Sequence, residues 1–343
     1  MSRRRVAGYA VAAVFVVLFG GRWVAIRFTE ASWFADLGLA RPYWARALRD
    51  FGWQLAVGVA ATLWYAVHTF AVYASIGAVH LPRRVGDLEI AEAVPRRTLR
   101  WIAAGLALLL GVVTAVTFAD VPDLVTLARQ AVPLGFREPV LGRDASFYLA
   151  TLPLLETLHL AALALVLFGI FVAGALYALT GSITYAARRV KMTPHARVHL
   201  VVLLACLALV LAWGFQLDAY GLVGGGGSLN GALSAADRAI RLPVSAALAA
   251  LSLVVAAGSL VTLRLKAGGG SGALLAAWAT IALVTVLGRF VAPYLWEAWH
   301  GRPDAEVAVA LAQYADRYSR AGLGVLDSVD DQRLGARAVV PAE

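Results

Sequence analysis

Seven blocks of this sequence stay apolar for about 20 residues or more, the length an α-helix needs to cross the hydrocarbon core of a bilayer. They are residues 6–26, 51–79, 101–119, 158–180, 196–214, 242–263 and 273–296. Such blocks leave few choices, because each must be surrounded by lipid or by a large core. A chain of 343 residues that is 61% hydrophobic and 15% charged has too little polar surface to enclose such a core, since an ordinary soluble domain is about 25% charged. The expected fold class is an all-α integral membrane protein, a bundle of about seven transmembrane helices. The second block is long enough to tilt or to extend past the bilayer. Trp23, Trp53, Trp101, Trp213 and Trp296 stand at block ends, where amphipathic rings favour the headgroup region.

Charge sets the orientation. With the N-terminus in the cytoplasm, the inner segments 1–5, 80–100, 181–195 and 264–272, with Arg197, carry 14 Lys and Arg, whereas the longer outer loops 27–50, 120–157 and 215–241 carry 9. This is the positive-inside pattern, and seven crossings then put the C-terminus outside. The chain divides accordingly into a membrane domain, 1–300, with structured outer loops, and an extracytoplasmic segment, 301–343. In the latter, Val307, Leu311, Tyr314, Tyr318 and Ala321 share one helical face, which predicts a juxtamembrane amphipathic helix before a disordered tail. The glycines at 224–227 and 268–272 read as flexible stretches, and 232–241 as a short amphipathic helix. Arg3, Arg4 and Arg5 would also suit a cleaved signal peptide, but the apolar stretch behind them is longer than the usual core of one. The net charge of +9 comes from arginines interleaved with apolar blocks. It points to the lipid bilayer as partner, and not to nucleic acid.

Few residues could carry chemistry. Arg289 lies roughly two turns from the outer end of the seventh block, where a charge is costly and seeks protein, water or a carboxylate; Glu156 and Asp218 are the carboxylates in reach. His68 is mid-block and alone, which suits a hydrogen bond to a neighbouring helix more than a proton relay. Glu156 and His159 have the spacing of di-metal bundles, without the second such motif those sites need. His195 and His199 have zinc-protease spacing but lack the glutamate after the first histidine, and read as interfacial. Serine-hydrolase elbows and phosphate loops are missing, and neither lysine, Lys191 or Lys266, lies in a block, which excludes a retinal Schiff base. Cys206 is the single cysteine, so there is no intrachain disulfide. No catalytic residue, cofactor or metal ligand is expected.

Four stretches, in order, resemble uncharacterised protein family 0182, bacterial multi-pass membrane proteins of unknown function. They are Trp33-Phe-Ala-Asp-Leu-Gly-Leu; Pro139-Val-Leu-Gly-Arg-Asp-Ala-Ser-Phe-Tyr-Leu-Ala-Thr-Leu-Pro153; Leu217-Asp-Ala-Tyr220 followed by Asn230-Gly-Ala, Asp237 and Leu242-Pro243; and the tail around Glu306, Tyr314, Arg320-Ala-Gly-Leu and Asp327. The chain departs from the family pattern at Ala235-Ala-Asp237 and at Ala321. Family members usually carry a large extracytoplasmic domain after the last span, so the resemblance implies a short form lacking it: a truncated form, a short paralogue or a fragment. It supplies no activity.

The expected role is a non-enzymatic membrane subunit or scaffold of the bacterial cytoplasmic membrane, which meets other envelope proteins through its outer loops and C-terminal helix. Arg143, Asp144, Asp218 and Asp237 are expected to build an outer cap over the bundle. The alternative is a transporter or channel with Arg289 and His68 lining a pathway.

Overall fold

The computed structural model describes residues 20–75, 80–85, 88–93, 95–135, 137–138, 140–186, 189–227, 233–264 and 271–300, with Val14, Val17, Gln313, Asp316, Arg317 and Arg320 besides. Most of the first apolar block, the glycines at 268–270 and most of the tail helix expected after residue 303 lie outside the described residues. The chain divides into two compact units, Met1–Ala56 and Val57–Glu343.

In the first unit, α1 (Gly21–Asp36) and the beginning of α2 (Ala40–Ser75) form a helical hairpin. Gly38 makes the turn with a φ of 74°, and its N–H donates to the Ala35 carbonyl at 2.9 Å, the left-handed close that glycine allows after a helix. Tyr43 is buried; its hydroxyl donates to the Arg27 carbonyl at 3.2 Å and its ring stacks on Phe34. The segment 27–50, expected as an outer loop, is therefore helical on both sides of a tight turn, and its aromatic residues pin that hairpin.

The second unit holds the rest of α2, then α3 (Arg96–Thr117), α4 (Val121–Gln130), α5 (Phe147–Leu179), α6 (Pro194–Gly226), α7 (Asp237–Thr262) and α8 (Gly272–His300). Six described helices, α2, α3, α5, α6, α7 and α8, are long and apolar enough to cross a membrane. Their burial pattern is the inverse of a soluble bundle. Leu109, Val116, Phe171, Leu179, Val254 and Leu283 are exposed, whereas Ala107, Ala173, Ala208, Ser252 and Ser259 are buried between helices. Lipid favours that arrangement, because helices in a bilayer gain by close packing of small residues, and large apolar side chains can face the acyl chains.

The closest approaches show how this works. A Cβ on Gly111 of α3 would lie 2.9 Å from the Cα of Thr62 on α2, and would overlap the Thr62 hydroxyl. A Cβ on Gly58 would stand 3.2 Å from that of Ala115. Around α6, α7 and α8 a core forms from Ala208, Phe215, Leu248, Val255, Ala256 and Ile281. Arg197, near the start of α6, donates to the Thr262 carbonyl at the end of α7 at 2.7 Å, a cation at a helix C-terminus where the dipole favours it.

Two connections that read as charged turns are β-hairpins. β1 (His80–Val85) pairs antiparallel with β2 (Leu88–Ala93) between α2 and α3, and β3 (Ile183–Ala186) pairs with β4 (Arg189–Met192) between α5 and α6. Their closing pairs are Val85 with Leu88 and Ala186 with Arg189. Both hairpins sit at one end of the unit, called here the hairpin end; the opposite end is the far end.

The far end holds the larger departure from the sequence reading. The apolar blocks open the fourth and sixth spans at 158 and 242. The helices instead begin at Phe147 and Asp237 and run through both prolines. Before each proline one turn is widened to i→i+5 bonding: Phe147–Thr151 before Pro153, Asp237–Arg241 before Pro243, and Leu287–Val291 before Pro293. Leu152, Leu242 and Ala292 close these turns by donating to the carbonyls of Phe147, Asp237 and Leu287. Proline has no N–H and its ring crowds the carbonyl four residues back; an extra residue in the preceding turn makes room for it. A fourth widened turn, Leu222–Gly226, falls in the glycine run. Those glycines are needed for close approach. Gly225 has a φ of 129°, a Cβ on Gly224 would come within 2.9 Å of the Tyr148 ring, and one on Gly226 within 2.8 Å of the Gly221 carbonyl oxygen.

Candidate functional site

The polar residues of the far end fall into three connected groups. The first is a knot in the segment 134–148. Glu138 is buried, and its carboxylate accepts from the N–H groups of Val140 and Leu141, each at 2.6 Å, and from the Tyr148 hydroxyl at 3.0 Å. Asp144 stands just before α5 and accepts from the N–H groups of Ser146 at 2.9 Å and of Leu134 and Gly135 at 3.0 Å. Arg143 reaches across to α6: its guanidinium donates to the Tyr220 hydroxyl at 3.2 Å and lies over the rings of Phe147 and Tyr220. The Tyr220 hydroxyl beside it raises the guanidinium's affinity for its proton still further.

The bonds from Ser146, followed by those from Leu134 and Gly135, hold the Asp144 carboxyl below the usual carboxylate range. The folded-state value lies below the unfolded one, so the contribution of Asp144 to stability is complete at neutral pH. It disappears as the pH falls through the ordinary range and past the depressed folded value. Asp144→Asn is therefore expected to lower stability at neutral pH by about 1–3 kcal/mol, the cost of orphaning charge-assisted N–H bonds. The gap between variant and wild type should close in acid, which thermal melts in detergent across the pH range would check.

The second group opens α7. Ser234 and Asp237 bond reciprocally: the Ser234 N–H donates to Asp237 Oδ2 at 2.9 Å, and the Asp237 N–H donates to Ser234 Oγ at 3.0 Å. This is a capping box with aspartate in the glutamate position. Asp237 is fully buried and also accepts from Arg241 at 3.0 Å.

The third group lies within the spans. Arg289 of α8, in a widened turn, donates to Asp218 of α6 at 2.5 Å. Of the two carboxylates the sequence offers, Asp218 is the one that takes it. Glu156 of α5 is exposed, lies close enough to Asp218 to feel its charge, and packs on Gly221 of α6. His159, one turn on, bonds the Val210 carbonyl at 3.2 Å and sits edge-on to Trp213. Among the described residues no group of three or more His, Cys, Asp or Glu could hold a metal ion.

Away from these groups, toward the hairpin end, His68 is not alone. Its Nδ1 faces Nε2 of His199 at 2.8 Å, and Nδ1 of His199 faces the Tyr177 hydroxyl at 3.0 Å. Trp64 covers His68 edge-on, held by its own bond to the Leu165 carbonyl at 3.0 Å. His199 therefore turns into the bundle and parts from His195, which is exposed. Sequence reading passes over Glu138, Tyr148, Tyr177, His199 and Tyr220 as partners. Of the missed contacts, only Ser234-x-x-Asp237 has a local signature.

Six apolar spans, two short hairpins and inward-facing small residues define a polytopic α-helical membrane protein. A family model for the uncharacterised protein family UPF0182 matches residues 7–308, and the chain belongs to that family. It is similar to UPF0182 proteins of Pelobacter propionicus (32% identical, over 73% of this chain and 28% of that protein), Geobacter sulfurreducens (33%, 68% and 27%) and Thermobifida fusca (31%, 64% and 22%). The chain thus spans about a quarter of the length of these curated relatives. No solved structure matches it.

Proposed function

We propose that the chain is a non-enzymatic subunit or scaffold of the bacterial cytoplasmic membrane, with its N-terminus inside and the far end of its second unit facing outward as a platform for envelope proteins. One observation carries this reading. The polar residues of the knot and the capping box are engaged with one another, so the far end is preorganised as a surface; a site for chemistry would leave groups free to react. The arginine excess of the segments at the hairpin end supports the orientation.

The test is co-purification of the tagged chain from native membranes in mild detergent. A stoichiometric partner is expected with wild type, and its yield should fall about ten-fold with Arg143→Ala, which unties the knot from α6 without touching the bundle; that corresponds to roughly 1.4 kcal/mol of binding. A wild-type chain that purifies without a partner, or a yield indifferent to Arg143, would overturn the scaffold. Transport is the second reading, with Arg289 and His68 on the pathway. It is favoured by His68, whose Nε2 is buried with no hydrogen-bond partner among the described residues.

A further inference from the structure

Buried imidazole nitrogens ordinarily have partners. Nε2 of His68 has none among the described residues, in a side chain that is 7% exposed. Its other nitrogen begins a chain of hydrogen bonds directed toward the hairpin end, through the buried Tyr177 to the half-buried Ser75. Nδ1 of His68 meets Nε2 of His199, Nδ1 of His199 meets the Tyr177 hydroxyl, and Ser75 neighbours that hydroxyl. Three helices contribute: α2 supplies His68 and Ser75, α5 supplies Tyr177 and α6 supplies His199. Tyr177 and Ser75 stand at the hairpin end of their helices, while His68 lies about two turns inside α2. The path therefore runs from the end of the bundle to an atom in its interior.

We propose that Tyr177, His199 and His68 form a proton relay between the hairpin end and His68 Nε2, and that Nε2, shielded from bulk water, is where the proton is handed to or taken from a bound polar ligand. The chain has two arrangements related by the position of its protons. In one, His68 Nδ1–H donates to His199 Nε2, His199 Nδ1–H donates to the Tyr177 oxygen, and the Tyr177 hydroxyl points its proton outward. In the other every bond is reversed. Uptake of one proton at His68 Nε2 moves the Nδ1 proton to His199 Nε2, moves the His199 Nδ1 proton to the Tyr177 oxygen, and passes the original hydroxyl proton to the half-buried Ser75 oxygen, which releases its own proton, held on the Val72 carbonyl, to water at the hairpin end. One proton enters and one leaves, and both histidines end neutral.

The groups that face the pair keep a transferred proton on this path. From α2 they are Trp64 and Ser75, from α5 Tyr177 and Gly169, and from α6 Leu203 behind Gly169. No carboxylate bonds either ring among the described residues, and Arg197, the nearest cation along α6, is turned to the Thr262 carbonyl of α7. The relay is independent of what the far end binds.

The test uses the full chain labelled with nitrogen-15 histidine in phospholipid vesicles, and reads exchange of the His68 imidazole proton with deuterated solvent by NMR. Wild type is expected to exchange rapidly. Tyr177→Phe keeps the ring but removes the outer link, and His199→Gln keeps a donor and an acceptor but cannot pass a proton. Each should slow exchange at His68 about ten-fold or more, the effect of raising the barrier by the worth of one hydrogen bond, with helical content unchanged. Exchange in both folded variants at the wild-type rate, or a wild-type His68 that keeps its proton for hours, would overturn the relay.

Discussion

Replacing Arg289 with leucine is expected to destabilise the protein by about 3 kcal/mol, and replacing Asp218 with leucine in the same chain should recover most of that loss. The pair lies between α6 and α8, and each side chain is only about a third exposed, 31% for Arg289 and 32% for Asp218. Removing Arg289 leaves the Asp218 carboxylate in an apolar setting, close to the charge of Glu156. Removing Asp218 leaves the guanidinium without its carboxylate. Each single variant therefore carries the desolvation cost of an unpaired ion. Removing both takes the ions away together, and buried pairs replaced by apolar residues are often neutral or better. A double-mutant cycle in detergent, read by unfolding midpoint, measures this. Single and double variants equal in stability would mean that the two groups are independently solvated.

Gly111→Val should cost a comparable amount, about 3 kcal/mol, through overpacking. The new Cβ would overlap the Thr62 hydroxyl and stand 2.9 Å from the Thr62 Cα. Trimming the neighbour with Thr62→Ala is expected to relieve only part of the cost, because the backbone of α2 is itself in the way. Gly105 is the control on the same helix: nothing lies within 4 Å of a Cβ there, and Gly105→Ala should stabilise α3 by roughly 0.5–1 kcal/mol. Equal melting points for Gly105→Ala and Gly111→Val would show that α2 and α3 do not pack through Gly111.

The spans were legible because membrane insertion is written in local composition. An uncharged run long enough to cross lipid needs no knowledge of its neighbours, and the six described spans fall on six of the seven blocks. Their ends were less legible at prolines. The apolar runs open at 158 and 242, yet a widened turn carries each helix back through Leu-Pro to Phe147 and Asp237. The pairing of Arg289 with a carboxylate followed from the cost of a lone charge in lipid. The His68–His199 contact joins residues 131 positions apart, and nothing local to either one announces it. Glu138 was missed for a related reason: a carboxylate in a loop looks solvated until the backbone N–H groups that fold around it are seen.

The widened turns bear on how such a chain can change in length. Removing one residue from an ordinary helix rotates everything beyond it by about 100° and pulls every later contact out of place. A widened turn already holds one residue more than a regular turn needs, so a one-residue deletion inside 147–151, 237–241 or 287–291 can be absorbed there while the flanking faces keep their orientation, provided the following proline is also replaced. Insertions and deletions, as well as substitutions, can therefore reshape the far end while the spans stay seated.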